Sequence, residues 1–305
     1  MVTSVRRAGY RLLGHRFDYL LHTRPAEWPI MAAHTLVGYL LAVGLDGAQR
    51  GERLGPALLG IGLWVACLNG GTLALNSAFD RDEGDIAYLR RPPPPPAHLA
   101  SFGFGLMTLG LLGSFLLPAE YRAAYALCLG LSVLYSVPPF RLKAVPGADW
   151  VINMWGFGTL TPYAGWAATG VSLDQIDGLV LLAFCPLFAA LYPLTQIYQL
   201  EEDSRRGDRT LALMLGVRRS LLVSLGAAGV AFALLALAGV RAGWGMRDVW
   251  RWLPLALCGV VWGLVLVSWL QRQDGMNARG HQRRMYQALG AWALTDVAVV
   301  LAWGT

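Results

Sequence analysis

The sequence predicts an all-α fold, a polytopic membrane bundle of about nine transmembrane helices in a single domain over residues 1–305. Three observations carry that prediction. Hydrophobic residues make up 55% of the chain and charged residues only 14%, where soluble domains carry about 25% charge. Apolar runs near the length needed to cross a hydrocarbon core of roughly 30 Å recur along the whole chain. The 25 Lys and Arg also alternate between the segments that join those runs, as cytoplasmic and external loops do.

The runs lie near 28–46, 55–79, 98–117, 120–137, 150–170, 178–200, 219–240, 252–271 and 284–304. Backbone groups in lipid must bond internally, so each run reads as a helix. Residues 1–26 are basic but hold no apolar core of signal-peptide length. Five basic residues precede the first run, and three, two, five and four follow the second, fourth, sixth and eighth. The remaining joints share six. This split places the N-terminus and the even-numbered joints in the cytoplasm of an inner or plasma membrane, with the C-terminus outside. The net charge of +6 thus reads as loop charge beside a membrane, and nucleic acid is not an expected partner. Cys67, Cys128, Cys185 and Cys258 all fall inside apolar runs without metal-ligand spacing, which makes them small core residues. The 12 Trp and 11 Tyr suit interfacial belts. Trp155, Phe157, Trp166, Tyr192 and Tyr198 are also candidates to line a cavity for a cation.

The joints hold the candidate chemistry. The second run ends in "NSAFDRDEGD", where Asn76 and Asp80 are four apart and share a helical face. Glu83 continues that face, and Asp82 and Asp85 follow near Gly84. The sixth run ends in "YQLEEDSRRGD", where Gln199 and Asp203 repeat the spacing, with Glu202 and Asp208 beside them. Carboxylates at a helix C-terminus face a negative dipole and need something cationic nearby. Oxygen ligands without His or Cys suit Mg²⁺, which takes one or two carboxylates plus phosphate oxygens. Either cluster alone also reads as a solvated mixed-charge loop with Arg81, Arg90, Arg91, Arg205, Arg206 and Arg209. Two clusters with matching polar pairs on one membrane face favour a site that holds a diphosphate through Mg²⁺.

Three further features accompany them. Tyr135, Arg141 and Lys143 flank the Pro138-Pro139 turn after the fourth run, as phosphate partners or as ordinary loop charge. Asn153, four after Asp149, faces either a polar cavity or a neighbouring helix. His34 and Asp296, inside the first and last runs, read as satisfied core residues. The proline run 92–96 is a stiff extended spacer, either a plain connector or the carrier of a lid.

Together these residues identify a resemblance. "TRPAEWP", "NSAFDRDEGD", "YSVPPFRLK", "DWVINMWGFG" and "QIYQLEEDSRRGDRTLALMLG" span nearly the whole chain, and their combination resembles the UbiA superfamily of intramembrane prenyltransferases. The resemblance implies a bundle around a central cavity open to the membrane. It also implies two acidic motifs that bind Mg²⁺ and the diphosphate of a polyprenyl donor. Asn76 and Asp80 match the start of the first motif, whose usual later Asp is Gly84 here, with Asp82, Glu83 and Asp85 around it. Asp203 matches the second carboxylate of the second motif, and Gln199 stands where the first would be, with Glu202 adjacent. Arg141 and Lys143 match basic residues that contact the diphosphate.

The implied reaction is ionisation of an allylic diphosphate followed by attack of a hydrophobic, expectedly aromatic, acceptor. Asp80, Asp203, Glu202 and Gln199 are the expected catalytic residues. Asn76, Arg141, Lys143, Tyr135, Asn153 and Tyr198 are expected to bind substrate, and Asn76, Asp80, Asp82, Glu83, Asp85, Asp203 and Asp208 the metal. The altered second motif keeps open a terpene cyclase that uses no external acceptor. A transporter or a non-catalytic membrane partner is the remaining alternative.

Overall fold

The computed structural model describes residues 2–80, 89, 91–206 and 209–305, and for residues 2–5, Glu202 and Arg206 the backbone alone. The chain is helical throughout these residues, apart from short joints. An amphipathic helix α1 (Val2–Leu13) and a short α2 (Phe17–His22) precede the bundle. The bundle follows as α3 (Trp28–Gln49), α4 (Leu54–Asp80), α5 (Leu99–Leu116), α6 (Ala119–Ser136), α7 (148–168), α8 (Gln175–Ile197), the short α9 (Leu200–Arg206), α10 (Leu211–Arg241), α11 (Val249–Arg272) and α12 (Ala278–Trp303).

Among the described residues seven helices are long and apolar enough to cross a membrane: α3, α4, α5, α8, α10, α11 with its preceding turn, and α12. Two of the nine expected runs fall short of that measure for identifiable reasons. Helix α6 carries Glu120, Arg122 and three tyrosines in 18 residues. Helix α7 is built of three pieces, with the wider-wound segment Met154–Leu160 between Ala148–Asn153 and Thr161–Ala168.

Two apolar cores hold the bundle. One gathers α8, α10, α11, α12 and the middle of α3 around Phe184, Leu194, Trp262 and Trp269. The other gathers α4, α5, α6 and the end of α7 around Trp64, Tyr121 and Tyr125. Helix α3 packs along α7 with the backbones in contact. A Cβ at Gly38 would overlap the Pro162 carbonyl oxygen, and one at Gly165 the Thr35 carbonyl oxygen. Small residues at such crossings admit the close approach that drives helix association in lipid.

Imperfections in the helices are where polar side chains enter. Pro162 offers no N–H to the Gly158 carbonyl four residues back, and His34 Nε2 lies 3.2 Å from that oxygen. The other ring nitrogen of His34 lies 3.1 Å from Asp296 Oδ1, so α3, α7 and α12 meet at one buried imidazole. Both residues are core contacts, as expected, and each is the other's partner. Pro193 likewise leaves the Ala189 carbonyl without a helical donor, and the Trp150 indole N–H fills the gap at 2.8 Å. A second wide-wound segment, Leu63–Asn69, precedes Gly70–Asp80 within α4. Such segments cluster at functional positions.

The prolines after α4 form an extended strand of chain that docks on the N-terminal helices. His22 Nε2 lies 3.1 Å from the Pro93 carbonyl oxygen, and an Arg6 N–H donates to the Arg91 carbonyl at 3.0 Å. The run is therefore a connector anchored against α1 and α2.

Candidate active site

Asn76 and Asp80 occupy successive turns at the end of α4 and share a face, as their spacing predicts. Ser136, the last residue of α6, donates its hydroxyl to Asn76 Oδ1 at 2.6 Å, joining the two helix ends. The joint that follows α6 turns back over α4. Its bend holds Arg141 at φ +38°, a left-handed backbone unusual for a residue with a side chain. The result is convergence of two cations on one carboxylate. Lys143 Nζ is paired with Asp80 Oδ1, and an Arg141 N–H donates to the same oxygen at 3.5 Å. Asp80 and Lys143 are mostly buried, at 17% and 14% side-chain exposure. The protein's own cations thus offset the carboxylate that the α4 C-terminus disfavours. Among the described residues both cations meet Asp80 through Oδ1.

The second acidic cluster is placed differently from the sequence expectation. Helix α8 ends at Ile197, and the chain turns at 198–199 before α9 begins. Asp203 therefore lies on a separate seven-residue helix at the rim, not at the end of the sixth span. Its backbone N–H still bonds the Gln199 carbonyl at 2.9 Å, and its side chain is buried. Gln199 itself donates to the Tyr198 hydroxyl at 3.1 Å. Glu202 lies on α9; its side chain, and Asp82, Glu83, Asp85 and Asp208, lie outside the described residues. Among the described residues no three His, Cys, Asp or Glu side chains come together.

What fixes α9 is a buried hub that sequence reasoning missed. Asp149 is fully buried at the start of α7. Its Oδ1 accepts from the Gly147 N–H at 2.9 Å, and its Oδ2 accepts from Gln196 Nε2 at 2.8 Å and from the Leu211 N–H at 3.4 Å. Gln196 Oε1 in turn accepts from the Ala212 N–H at 3.2 Å. One carboxyl group therefore ties the end of α8 to the start of α10, closing the segment that carries Gln199 and Asp203. The spacing Asp149–Asn153 was a signal, because Asn153 Nδ2 donates to the Asp149 carbonyl at 2.7 Å. Gln196 gave no signal, being one polar residue in a buried apolar helix.

Inward from this rim the wall is aromatic. The hydroxyls of Tyr135 and Tyr192 are 3.1 Å apart, and Asn153 reaches the Tyr135 hydroxyl from α7. Tyr192 stacks on Phe188, and Phe188 stacks on Phe157 with ring centroids 5.4 Å apart and meets Trp292 edge-on. Of the aromatic candidates, Phe157 and Tyr192 join this region, and Tyr198 lies in the turn beside Gln199. Trp155 is exposed, and Trp166 is buried with its indole donating to the Val171 carbonyl.

Arg24, just before α3, is a second residue missed in the sequence. It is buried, has φ +50°, and is close enough to act electrostatically on the Tyr135 hydroxyl. Beside it, burial pushes the Glu27 carboxyl above its usual range, against the opposing pull of Arg24.

The donor set that Asn76 and Asp80 offer is amide and carboxylate oxygen, the same kinds of group that Gln199 and Asp203 carry at and before α9. It fits a hard divalent cation, and the arginine and lysine beside it fit a polyphosphate. A polar rim above an aromatic, apolar interior fits an amphipathic ligand with an anionic head.

Known proteins resemble this chain in sequence and in fold. A digeranylgeranylglyceryl phosphate synthase of Natronomonas pharaonis is 27% identical over 282 residues, which cover 91% of this chain and 96% of that protein. A lycopene elongase/hydratase of Haloferax volcanii is 28% identical over 287 residues, covering 83% of this chain and 92% of that protein. The solved structure of a UbiA homolog from Archaeoglobus fulgidus bound to DMAPP and Mg²⁺ superposes with a TM-score of 0.64. It covers 90% of this chain and 98% of that one at 17% identity, a likeness of fold. Residues 31–290 match the model of the UbiA prenyltransferase family, and the chain belongs to that family.

Proposed function

We propose that this protein transfers a prenyl group from an allylic polyprenyl diphosphate to a hydrophobic, electron-rich acceptor within the membrane, using Mg²⁺. The observation that carries the reading is the pair of cations on Asp80, at the boundary between a polar rim and an aromatic interior. That boundary suits a ligand whose diphosphate stays at the rim while its isoprenoid tail enters the bundle. The Archaeoglobus fulgidus homolog, bound to DMAPP and Mg²⁺, supports the ligand class.

Asn76, Asp80 and Asp203 would hold the metal, with Asp82, Glu83, Asp85 and Asp208 as further ligands. Bound there, Mg²⁺ supplies charge neutralisation on the leaving diphosphate. Lys143 and Arg141 bind the diphosphate oxygens and stabilise the charge that develops on them as the allylic C–O bond breaks. Arg24, Tyr135 and Asn153, which lie together, would orient the head group. Phe157, Phe188, Tyr192 and Trp292 present π-faces to the allylic cation and exclude water that would quench it. The acceptor attacks that cation and loses a proton, which Asp203 or Glu202 of α9 would take up, with Gln199 and Tyr198 in the turn before that helix.

The two long relatives are named for a glyceryl phosphate product and for lycopene. An aromatic acceptor is our expectation from the sequence resemblance and stands as one arm of the test. In the topology proposed here, α6 and α7 also cross the membrane, giving nine spans, and the rim faces the cytoplasm.

The experiment is diphosphate release by the purified protein in nanodiscs, with Mg²⁺ and a C10 to C20 panel of allylic diphosphates. Acceptors are offered singly as phenolic, glyceryl phosphate and polyene compounds. Release that needs one acceptor and yields its prenylated product confirms the reading and names the acceptor. Release without acceptor, giving a cyclic hydrocarbon, replaces it with cyclisation. Turnover unchanged in Asp80→Ala or Lys143→Ala overturns the assignment of the site, where a loss of about a hundredfold or more is expected.

A further inference from the structure

Between α11 and α12 lies an open groove of about 580 Å³. Its floor and walls are apolar, with Val261 and Leu264 from α11 and Leu294 from α12. Leu264 and Leu294 are each more than half exposed at the outer lips. One end is different. There the side chains are Ser268, Arg284 and Gln287. Arg284 Nη1 donates to Ser268 Oγ at 3.2 Å and to Gln287 Oε1 at 3.0 Å.

Both partners are neutral. They fix the guanidinium in the mouth of the groove without cancelling its charge, and three of its five N–H donors remain for a ligand. Among the described residues no carboxylate lies within ion-pair distance of it. The ends of the two helices add Arg272, Arg279 and Arg283, all exposed, against the single carboxylate of Asp274 in the joint between them. A cation held at one end of an apolar furrow is complementary to an anionic head on an apolar chain. Arg284 and Leu294 are ten residues apart, about 15 Å along a helix, the length of a dozen methylene groups.

We propose that the α11–α12 groove binds an anionic phospholipid, its phosphate on Arg284 and one acyl chain along Val261, Leu264 and Leu294. A neutral polar partner shell orients the fork of Arg284 toward phosphate, which it grips bidentately. The site is separate from the Asp80 rim and does not depend on the function proposed for it.

The test is native mass spectrometry of the full-length protein released from detergent, titrated with phosphatidylglycerol or phosphatidylcholine of the same chain length. Wild type is expected to retain one phosphatidylglycerol at about tenfold lower concentration than phosphatidylcholine. Arg284→Gln should abolish that preference, since a charge-assisted bond is worth about a factor of ten. Leu264→Trp, which fills the furrow and leaves the charge, should lower retention of both lipids. Arg283→Gln, outside the groove, should behave as wild type. Equal retention of the two lipids by wild type, or an unchanged preference in Arg284→Gln, overturns the proposal. So does efficient disulfide cross-linking of Gly290→Cys between two copies, which would make a second copy the occupant.

Discussion

Removing the carboxyl group of Asp149 is the sharpest perturbation of this fold. In Asp149→Ala three donors lose their acceptor: the half-buried Gly147 N–H, and the buried Leu211 N–H and Gln196 Nε2. A buried donor left unsatisfied costs about 1–3 kcal/mol. Gln196, buried and at 2.8 Å, carries the full cost, and the half-buried Gly147 N–H, at 2.9 Å, part of it. Leu211, at 3.4 Å, carries a fraction of it. The sum is roughly 2–5 kcal/mol, a fall in unfolding temperature of roughly 3–8 °C for a chain this size. Asp149→Asn keeps the shape but turns one N–H pair toward other donors, and should cost about 1–2 kcal/mol. Thermal unfolding in detergent, followed by tryptophan fluorescence, reads both. The hub closes the segment carrying Gln199 and Asp203, so the Asn variant should also bind prenyl diphosphate more weakly while still folded. An Asp149→Ala protein that melts within 2 °C of wild type, by this order-of-magnitude reckoning, would show that water or neighbouring groups satisfy those donors and that the hub is not structural.

Two other perturbations test the packing. Gly38→Ala drives a methyl group into the Pro162 carbonyl and must separate α3 from α7, at a cost of about 1–3 kcal/mol. Gly130→Ala, where a Cβ meets open space, is the matched control, and equal melting temperatures for the two would refute the close crossing. His34→Leu strands the Asp296 carboxyl between helices and should cost about 3–5 kcal/mol. Adding Asp296→Leu should recover much of that loss, and a double-mutant cycle that shows simple additivity would mean the two residues do not interact.

Much of this protein was legible in its sequence because a membrane imposes strong, local rules. Every backbone group in lipid must be bonded within its own segment, so an apolar run of sufficient length already dictates a helix. The spacing of Asn76 and Asp80 fixed their common face for the same reason, since helical periodicity is set by residues three and four apart. The family resemblance lay in the joints, where the chemistry is.

Other features depended on which helices become neighbours. Gln199 and Asp203 read as the tail of the sixth span, and the bend after Ile197 left Gln199 in a turn and placed Asp203 on a short rim helix. Lys143 and Arg141 lie more than 60 residues from Asp80, and only the turn after α6 set them on one of its oxygens. His34 and Asp296 sit at opposite ends of the chain, and Gln196 looks like any polar residue in a span until Asp149 is placed beside it. The sequence by itself determined the helices, the membrane class and the two acidic motifs, because these follow from composition and local period. The tertiary structure decided which carboxylate meets which cation and which carbonyl freed by proline meets which donor. Those pairings depend on distances between segments far apart in the chain, and no local pattern encodes them.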